Sequence, residues 1–600
     1  MADEKGSWKR FQRLGFDSKT FTKRARKAET NTTRHAHKFV LSKLDSLRSA
    51  KQHIILWLLL IAVLMGAVAL QMFWYQQAYR TMAWKSGGTY AEATIGPINT
   101  LNPLYATTPA ELAASKLIFS SLYDYDDRGS LADDLAVNMD ISKDGKTYVV
   151  TLRDDVDWSD GTRLTAQDVT FTIGLMKSPE ARSKMFYDNS WASVAAEALD
   201  ERTVKFTLAD SYAPFPHALT FSVLPKHILE DVPAGSLRQN AFSVSPVGSG
   251  PFSVRLLDPA PNRKYKILNL SAAPSYYKGT PRLSRFALHA YRTHDDMVRA
   301  LQIGEVNAAA GVTTDMSEVS SSIRTKQFPV GSGVYALFNV QAPTLKNDKL
   351  RRALQVGTDT DAVRSTIGYP VPALHLPFVN GQLTGDGIPT KPAYDTQRAK
   401  KLLNEAGWKL RGDSKIRTNK GGDKLQLRVV TTQDAAYEDV MEELAGQWRQ
   451  LGIDVQTEAR DPSSPTQDFV QTTLQPRDFD VLIRELGIGA DPDVFAYWHS
   501  SQATTQGYNF ANYRNDIADD ALVSARGRSE SALRNEKYKA FAQQWLKDAP
   551  ALGLYQSVMR YSYRASVQPY ISERSLPSEA DRYTDVIYWS AQQAPVYKTP

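Results

Sequence analysis

An uninterrupted apolar segment at residues 54–75 limits what the N-terminal part of this chain can fold into. It reads IILWLLLIAVLMGAVALQMFWY, and no Asp, Glu, Lys or Arg occurs between Lys51 and Arg80. About 20 apolar residues in a helix cross the ~30 Å hydrocarbon core of a bilayer, and aromatic residues such as Trp57 and Trp74 favour its interfaces. A buried core helix is the alternative, but nothing else in the first 90 residues would surround it. The segment therefore predicts a transmembrane helix.

The charge distribution predicts the orientation of this helix. Residues 1–53 carry 14 Lys and Arg against 5 Asp and Glu, a net charge of +9, whereas the whole chain carries +7. Positively charged flanks stay in the cytoplasm, so we expect a cytoplasmic tail at 1–53 and an extracytoplasmic main domain. The basic run TKRARKAE at 22–29 would suit anionic lipid or nucleic acid, but a solvated tail that sets topology is the simpler interpretation. The main domain, with a net charge of −2, gives no reason to expect nucleic-acid binding.

A cleaved signal peptide is the main alternative to a retained anchor. Ala67-Val68-Ala69 resembles a cleavage site with small residues, but the 53 residues before the apolar run are far more than signal peptides usually have. The chain contains no Cys, which excludes a lipid anchor on cysteine, thiol catalysis, zinc–thiolate sites and disulfides. We therefore expect a main domain that is stabilised by its hydrophobic core alone.

Helix and strand patterns alternate after a short tether at 76–88. Helical spacing of apolar residues predicts helices at 395–406, with Asp395 as N-cap, at 435–451 and at 537–546. The strand-like runs are YVVTL, TVKFTL, YKILNL, LQLRVVT, IDVQTEA and ALGLYQ. This alternation is typical of α/β layering.

Residues 144–173, DGKTYVVTLRDDVDWSDGTRLTAQDVTFTI, hold six Asp residues and raise the question of a metal loop or catalytic carboxylates. Aligned as an EF-hand from Asp155, the stretch lacks the Gly at position six and the Glu at position twelve. Thr165 and Asp168 instead fit a capping box at the start of a helix. No H-E-x-x-H or G-x-S-x-G motif occurs in the chain. We interpret the stretch as scaffold and expect no catalytic residue, no metal site and no cofactor.

Five segments in the same order resemble the large extracellular solute-binding proteins of the oligopeptide/dipeptide type (family 5), the substrate-binding proteins of ABC transporters. They are residues 144–173, VGSGPFSV at 247–254, LFNVQAPTLKNDKLRRALQVGTDTDAV at 337–363, YDTQRAKKLLNEAGW at 394–408 and FDVLIRELGIGADPDVF at 479–495. The resemblance covers about residues 89–595. Each motif alone is weak, but five in sequence are specific.

The resemblance implies a fold and a domain order. We expect an α/β protein with a two-lobed periplasmic-binding-protein-like fold (type II, large peptide-binding class) behind the N-terminal transmembrane helix. Lobe I would comprise residues 89–340 with a return segment at 550–600, and lobe II residues 341–549. The hinge would lie near residues 338–340 and again near 549–550.

The resemblance also implies a function. Such proteins close over a ligand and deliver it to the permease and ATPase subunits of an ABC importer. We expect a receptor at the cell membrane, with a single span, that captures oligopeptides or similar solutes and is not an enzyme. A peptide would pair its backbone with an exposed strand edge, as in β-augmentation. A sensor for a signalling peptide is an alternative, and a hydrolase that uses cleft carboxylates is a weaker one.

Candidate site residues come from the same resemblance. The predicted ligand-binding residues are Thr107, Thr108, Leu486, Gly487, Ile488, Gly489, Asp491 and Trp498. The chain departs from the peptide-binding pattern in having Gly487-Ile488 where Gly-Trp is usual, and it is shorter before the Asp-Pro pair. Asp491 would either hold the ammonium group of a peptide or serve as the acid of a turn. The first possibility defines one test of the site.

Overall fold

The computed structural model describes residues 50–182, 189–259, 265–316, 320–461, 468–571 and 574–597. The described residues divide into two units. The first contains residues 50–83 and 594–597, and the second contains Trp84–Gln593. Most of the predicted tail at 1–53 lies outside the described residues.

Eighteen strands occur in the part of the chain that the structure describes. They are β1 (Arg80–Lys85), β2 (Thr89–Ile95), β3 (Tyr123–Tyr125), β4 (Leu131–Asp133), β5 (Ala136–Ile141), β6 (Thr147–Leu152), β7 (Ala195–Ala198), β8 (Thr203–Thr207), β9 (Phe252–Pro259), β10 (Lys266–Ala272), β11 (Arg285–Tyr291), β12 (Ala308–Ala310), β13 (Ile323–Phe338), β14 (Gln426–Thr432), β15 (Asp454–Arg460), β16 (Val481–Gly487), β17 (Ala551–Arg564) and β18 (Gln592–Tyr597).

The helices alternate with these strands. They are α1 (Lys51–Tyr79), α2 (Pro109–Ile118), α3 (Ala166–Lys177), α4 (Pro179–Arg182), α5 (Phe215–Ala218), α6 (Lys226–Leu229), α7 (His294–Ile303), α8 (Asp348–Val356), α9 (Thr360–Ser365), α10 (Thr396–Glu405), α11 (Ala435–Gln450), α12 (Phe495–Trp498), α13 (Asp516–Arg526) and α14 (Ser531–Asp548). Short 3-10 turns and one π-helical turn, Val470–Leu474, join some of them.

The first unit contains the apolar segment as one continuous helix, α1. Its large apolar side chains are exposed all round, from Ile55 to Tyr75. Residues His53–Tyr79 are long and apolar enough to cross a membrane, a criterion that a signal sequence near the N-terminus also meets. The same unit includes most of a two-stranded sheet of β1 and β18. The predicted helix at 54–75 is thus confirmed as a helix.

A ten-stranded mixed sheet organises the second unit, in the order β15-β14-β16-β13-β17-β12-β2-β11-β10-β9. Its centre is the antiparallel pair β13 and β17, which are 16 and 14 residues long. The pairing register shifts between Pro329 and Gly333 and again between Val334 and Tyr335. Such irregularities bend strands and increase their twist. The smaller four-stranded sheet has the order β5-β6-β8-β7.

Local sequence chemistry explains where several helices begin. The Asp168 carboxylate at the start of α3 accepts a hydrogen bond from the Thr165 amide at 2.8 Å, as the capping box predicts. Asp395 caps α10 by accepting from the Arg398 amide at 2.8 Å. The predicted strands and helices of the α/β pattern are confirmed. The helix predicted at 537–546 is longer, because α14 already begins at Ser531.

The apolar core consists of separate clusters, and the two central strands contribute to different clusters along their length. One large cluster takes residues such as Phe328 and Val330 from β13 and Met559 from β17. A second cluster takes Val334 from β13 and Tyr555 from β17, and a third takes Tyr335 and Ala551 from the same strands. The sheet is therefore continuous, whereas the cores on its two halves are separate.

Candidate ligand-binding site

The outer edge of β16 is only partly paired. β16 pairs with β13 along its whole length, from Val481 to Gly487. On its other side it pairs with β14 only at Val481 and Leu482. The Ile483 carbonyl on this side accepts from the Thr431 hydroxyl at 3.2 Å, and no described strand continues the pairing beyond it.

The backbone of this open edge alternates in direction. The Gly487 carbonyl lies four residues after Ile483 on the same strand and faces the same side. It accepts a hydrogen bond from the Tyr497 hydroxyl at 2.6 Å. Because every second residue of a strand directs its amide and carbonyl to the same side, the backbone of Glu485 faces that side too. The Glu485 amide and carbonyl can therefore pair with an extended ligand as with an additional strand, whereas the Gly487 carbonyl is already bonded to Tyr497.

Glycines bring three segments together at the end of β16. The Gly331 carbonyl accepts from the Ile488 and Gly489 amides at 2.8 and 2.7 Å, and the Gly331 amide donates to the Leu576 carbonyl at 2.7 Å. A Cβ at Gly331 would lie 2.5 Å from the Pro577 carbonyl oxygen. Gly489 has a φ of +79°, in the left-handed region that favours glycine. The three segments can approach this closely because Gly331 has no side chain.

A cavity of about 540 Å³ opens beside this junction. It is lined by Pro109 and Leu112 of α2, by the end of β16, and by residues 577–580. Its charged lining residues are Glu485, Glu579 and Arg582. A second cavity of about 350 Å³ shares Leu112, Gly489 and Pro577 with it.

The cations and acids of these cavities are mostly bound to one another. Arg582 contacts Glu92 at 2.7 Å, with side chains that are 2% and 0% exposed. In the second cavity, Lys116 lies 2.9 Å from Asp581 and 2.5 Å from Asp124. Lys278 also pairs with Asp134 at 2.6 Å. Within the described residues, no group of three His, Cys, Asp or Glu is arranged to hold a metal ion.

Thr107 and Thr108 lie at the start of α2. The Thr107 amide and hydroxyl both donate to the Glu111 carboxylate, at 2.9 and 3.3 Å. Thr108 is the N-cap, and its hydroxyl donates to the Pro97 carbonyl at 2.8 Å. Their hydroxyls thus serve local structure, while later residues of the same helix line the cavity.

The four predicted residues at the end of β16 are divided between cavity and core. Gly487, Ile488 and Gly489 line the 540 Å³ cavity. Leu486 is 3% exposed and packs in the core instead. At Gly487 and Gly489 the chain thus presents backbone, and no side chain, to the cavity.

Asp491 is bound within the protein. Its two carboxylate oxygens accept hydrogen bonds from Arg534 at 2.8 and 2.9 Å, and the His217 ring lies 3.8 Å away. The next acid, Asp493, contacts Arg526 at 2.8 Å and accepts from the Tyr212 hydroxyl at 3.1 Å. Burial raises the pKa of Asp493. In this structure the Asp491 side chain is directed to Arg534 and not to an open site.

Trp498 lies in the core. It is 1% exposed, and its ring packs edge-on against Trp545 at 5.4 Å and Tyr335 at 6.2 Å. It does not line either cavity. Its ring packs in one core cluster with Tyr335 and Trp545, which buries it away from the cavities.

Sequence reasoning missed the acids of the cavity. Glu485 stands two residues before Gly487 on the same strand, so strand periodicity would have placed it on the same face. No sequence pattern pointed to Glu579. Its segment lies beside the cavity because Pro577 packs against Gly331, which is distant in the sequence.

Comparisons with known proteins agree with this architecture. Residues 130–508 match the family model described as bacterial extracellular solute-binding proteins, family 5, middle. The oligopeptide-binding protein AppA of Bacillus subtilis is 27% identical over 497 residues, which cover 78% of this chain and 86% of that protein.

Solved structures show the same fold. The structure of AppA from Bacillus subtilis in complex with a nonapeptide has a TM-score of 0.70 and 24% identity, covering 85% of this chain and all of the other. NikZ from Campylobacter jejuni in complex with Ni(L-His) has a TM-score of 0.71 and 25% identity, covering 84% and 99%. The chain therefore belongs to the bacterial extracellular solute-binding proteins of family 5 and has their two-lobed α/β fold.

Proposed function

We propose that this chain is the membrane-tethered substrate-binding receptor of an ABC importer and that it captures oligopeptides in the cleft beside β16. The observation that carries the peptide assignment is the open edge of β16 next to the 540 Å³ cavity. A peptide satisfies its own backbone hydrogen bonds on such an edge, and side chains of many kinds fit into adjacent space. The AppA relative, an oligopeptide-binding protein solved with a nonapeptide, supports this ligand class.

Lobe II is proposed to comprise residues 341–549, as the sequence predicts, and lobe I the remainder of the main domain. The separate core clusters support two lobes, but they place the boundary inside β13 and β17, so residues 334–338 and 551–555, outside the predicted bounds, pack with lobe II. Closure of two lobes over a ligand excludes water and strengthens each polar contact. The ligand would leave chemically unchanged for the permease and ATPase subunits.

The anchor is part of the same proposal. We infer that α1 remains as a single membrane span with the basic tail in the cytoplasm, because its exposed apolar surface has no partner within the described residues. Protease treatment of intact cells should digest the main domain and leave a fragment that contains α1 in the membrane. Release of the main domain into the medium or periplasm during normal growth would contradict a retained anchor.

Mass spectrometry of co-purified ligands tests the receptor function directly. The full-length chain is purified in detergent, denatured, and the released small molecules are identified. Peptides of several lengths are expected, unchanged after prolonged incubation with the protein. A Gly487→Pro variant is the control, because proline removes an amide and its ring enters the cavity, so it should release much less peptide. A single metal chelate or sugar would contradict the peptide assignment.

A further inference from the structure

Glu485 is an acid of the cavity without a cationic partner. It is exposed, it lines the 540 Å³ cavity, and it lies on the open strand. Its carboxylate accepts hydrogen bonds from the Ser332 hydroxyl and, at 3.4 Å, from the Tyr437 hydroxyl. Among the described residues it forms no ion pair.

Glu579 faces the same cavity from the other wall. It begins the 3-10 turn Glu579–Tyr583, and its carbonyl accepts from Arg582 at 2.7 Å. Its carboxylate makes no ion pair with any described residue. Desolvation by the surrounding protein raises the pKa of Glu579, although the side chain is still exposed to solvent. Arg582 lowers this pKa in part, and the Glu485 carboxylate raises it. The two acids are therefore electrostatic neighbours on opposite walls.

Three tyrosines lie near Glu485, and one of them, Tyr369, also lies near Glu579. Tyr437 and Tyr369 are half-buried, and Tyr555 is 6% exposed. All three pack against the same core cluster. The Tyr555 hydroxyl forms no hydrogen bond with the part of the chain that the structure describes. Burial raises the pKa of Tyr555, and nearby Tyr369 and Glu485 raise it further. A mostly buried tyrosine whose hydroxyl has no described partner thus lies near Glu485.

The neighbouring arginines form no ion pair with these two carboxylates among the described residues, although the charge of Arg582 acts on Glu579 and lowers its pKa in part. Arg582 is paired with Glu92, as described above. Arg560 donates to the Thr313 carbonyl, and its guanidinium lies 4.8 Å from the centre of the Tyr369 ring. Arg484 alternates with Glu485 along β16 and lies 5.6 Å from the Phe510 ring. Asp434, the N-cap of α11, adds a further carboxylate near Tyr369 and Tyr555.

We propose that Glu485 and Glu579, with Tyr369, Tyr437 and Tyr555, form a subsite for one cationic group of the ligand, the side chain of a lysine or arginine in a bound peptide. Two carboxylates that repel each other across a cleft are stabilised by a positive charge between them. The hydroxyl oxygens of Tyr437 and Tyr555, which lie near Glu485, can also accept from an ammonium or guanidinium group. This inference rests on the proposed function, since it specifies which peptides the cleft prefers.

Calorimetry with matched peptides tests the subsite. The full-length chain in detergent is titrated with pentaalanine peptides that carry one lysine, at each of the five positions in turn. The comparison set carries norleucine at the same positions, which keeps the length of the side chain without its charge. We expect at least one lysine peptide to bind about tenfold more tightly than its norleucine partner, a difference of about 1.4 kcal/mol.

Variants assign this preference to the acids. Glu485→Gln and Glu579→Gln should each reduce the lysine preference to about threefold or less, with norleucine peptides within about twofold of the original affinity. Glu405→Gln is the matched control, because Glu405 is a surface acid of α10 that pairs with Lys349. It should leave the preference unchanged.

Three outcomes separate this inference from the proposed function. Equal binding of lysine and norleucine peptides would overturn the cationic subsite and leave peptide capture intact. Equal loss of both peptide sets in Glu485→Gln and Glu579→Gln, without a fall in Tm, would assign the acids to general binding and also overturn it. Failure of every peptide to bind would contradict peptide capture itself, and the subsite with it.

Discussion

Arg534 holds Asp491 with two hydrogen bonds, and this pair governs what the acid can do. The side chains are 14% and 10% exposed. Both oxygens of this carboxylate are already bonded to Arg534, which also balances its negative charge. The ammonium group of a peptide could take that place only if Arg534 moved away. The pair therefore favours a structural role for Asp491 over capture of a peptide N-terminus.

Replacement of Asp491 distinguishes these two roles. Asp491→Asn should lower the free energy of unfolding by about 3 kcal/mol, because it leaves a mostly buried arginine without its partner. Affinity for peptides with a free N-terminus should match that for their N-acetylated forms. Asp361→Asn is the control, since Asp361 pairs with Arg364 but is 80% exposed, and it should change stability by less than about 1 kcal/mol. Chemical denaturation and calorimetry measure both effects, and a selective loss of free-N-terminus peptides would support ammonium capture instead.

Gly487 offers a test of the open strand edge. A Cβ at this position meets no atom within 4 Å, so Gly487→Ala should leave Tm unchanged. The added methyl group enters the cavity beside the edge, and we expect peptide affinity to fall about tenfold. Gly446→Ala is the matched control, because its Cβ also meets nothing within 4 Å but lies in α11. It should stabilise the protein by up to about 1 kcal/mol and leave affinity unchanged, and unaltered affinity in Gly487→Ala would argue against a ligand at this edge.

At the scale of elements, the sequence predicted helices and strands well where the signal is local. Caps such as Asp395 act over three residues, and apolar periodicity acts over one helix. The strand predicted from ALGLYQ extends to Arg564, because pairing with β13, over 200 residues earlier, continues it. The pairing of Asp491 with Arg534 could not be predicted from the sequence either, since Arg534 lies 43 residues further along the chain. The site is formed by contacts between segments that are distant in the sequence, and such contacts produce no local sequence pattern.

One loop between β8 and α5 contacts the end of α13. The Ala213 amide donates to the Arg526 carbonyl at 2.8 Å, and the Ser211 hydroxyl donates to the Gly527 carbonyl at 3.0 Å. Between them, the Tyr212 hydroxyl donates to Asp493, and the Arg526 guanidinium lies 4.8 Å from the Tyr212 ring. In the lobe division proposed above, this contact joins the two lobes.

Removal of one hydroxyl tests this contact. Tyr212→Phe removes the hydrogen bond to Asp493, and a bond to a charged group contributes about 1.5–3 kcal/mol. We expect faster peptide release and an affinity about tenfold lower, because the closed arrangement loses a contact. Tyr570→Phe is the control, since Tyr570 is 51% exposed and its hydroxyl bonds to no described residue. Stopped-flow fluorescence measures the release rate, and an unchanged rate in Tyr212→Phe would rule out a role in closure.

At the scale of the whole molecule, several histidines share one electrostatic behaviour. Burial lowers the pKa of five of them, His217, His289, His294, His375 and His499. In the unfolded chain their pKa values are about 6.5, so the unfolded state binds more protons between that value and the lower folded values. Their contribution to stability is complete above pH 6.5 and is lost as the pH falls.

This behaviour predicts an acid-sensitive fold. The Tm should be lower at about pH 5.5 than at about pH 7.5, because the unfolded histidines take up protons first. His375→Asn should reduce the difference, since Lys391 and Arg364 add to the lowering of the His375 pKa. His227→Asn is the control at a half-exposed position. Differential scanning calorimetry measures the difference, and a Tm that rises on acidification would contradict the assignment.

β17 lies between β13 and β12 at the centre of the large sheet, although only β18 follows it in the chain. Synthesis and export proceed from the N-terminus, so every other strand of that sheet emerges before the one that joins its halves. Until residues 551–564 arrive, the nascent protein carries two open strand edges of the kind that pair with other chains. The large sheet can therefore close only after residues 551–564 have emerged, and we expect a chain that ends before them to aggregate instead of folding into a shortened receptor.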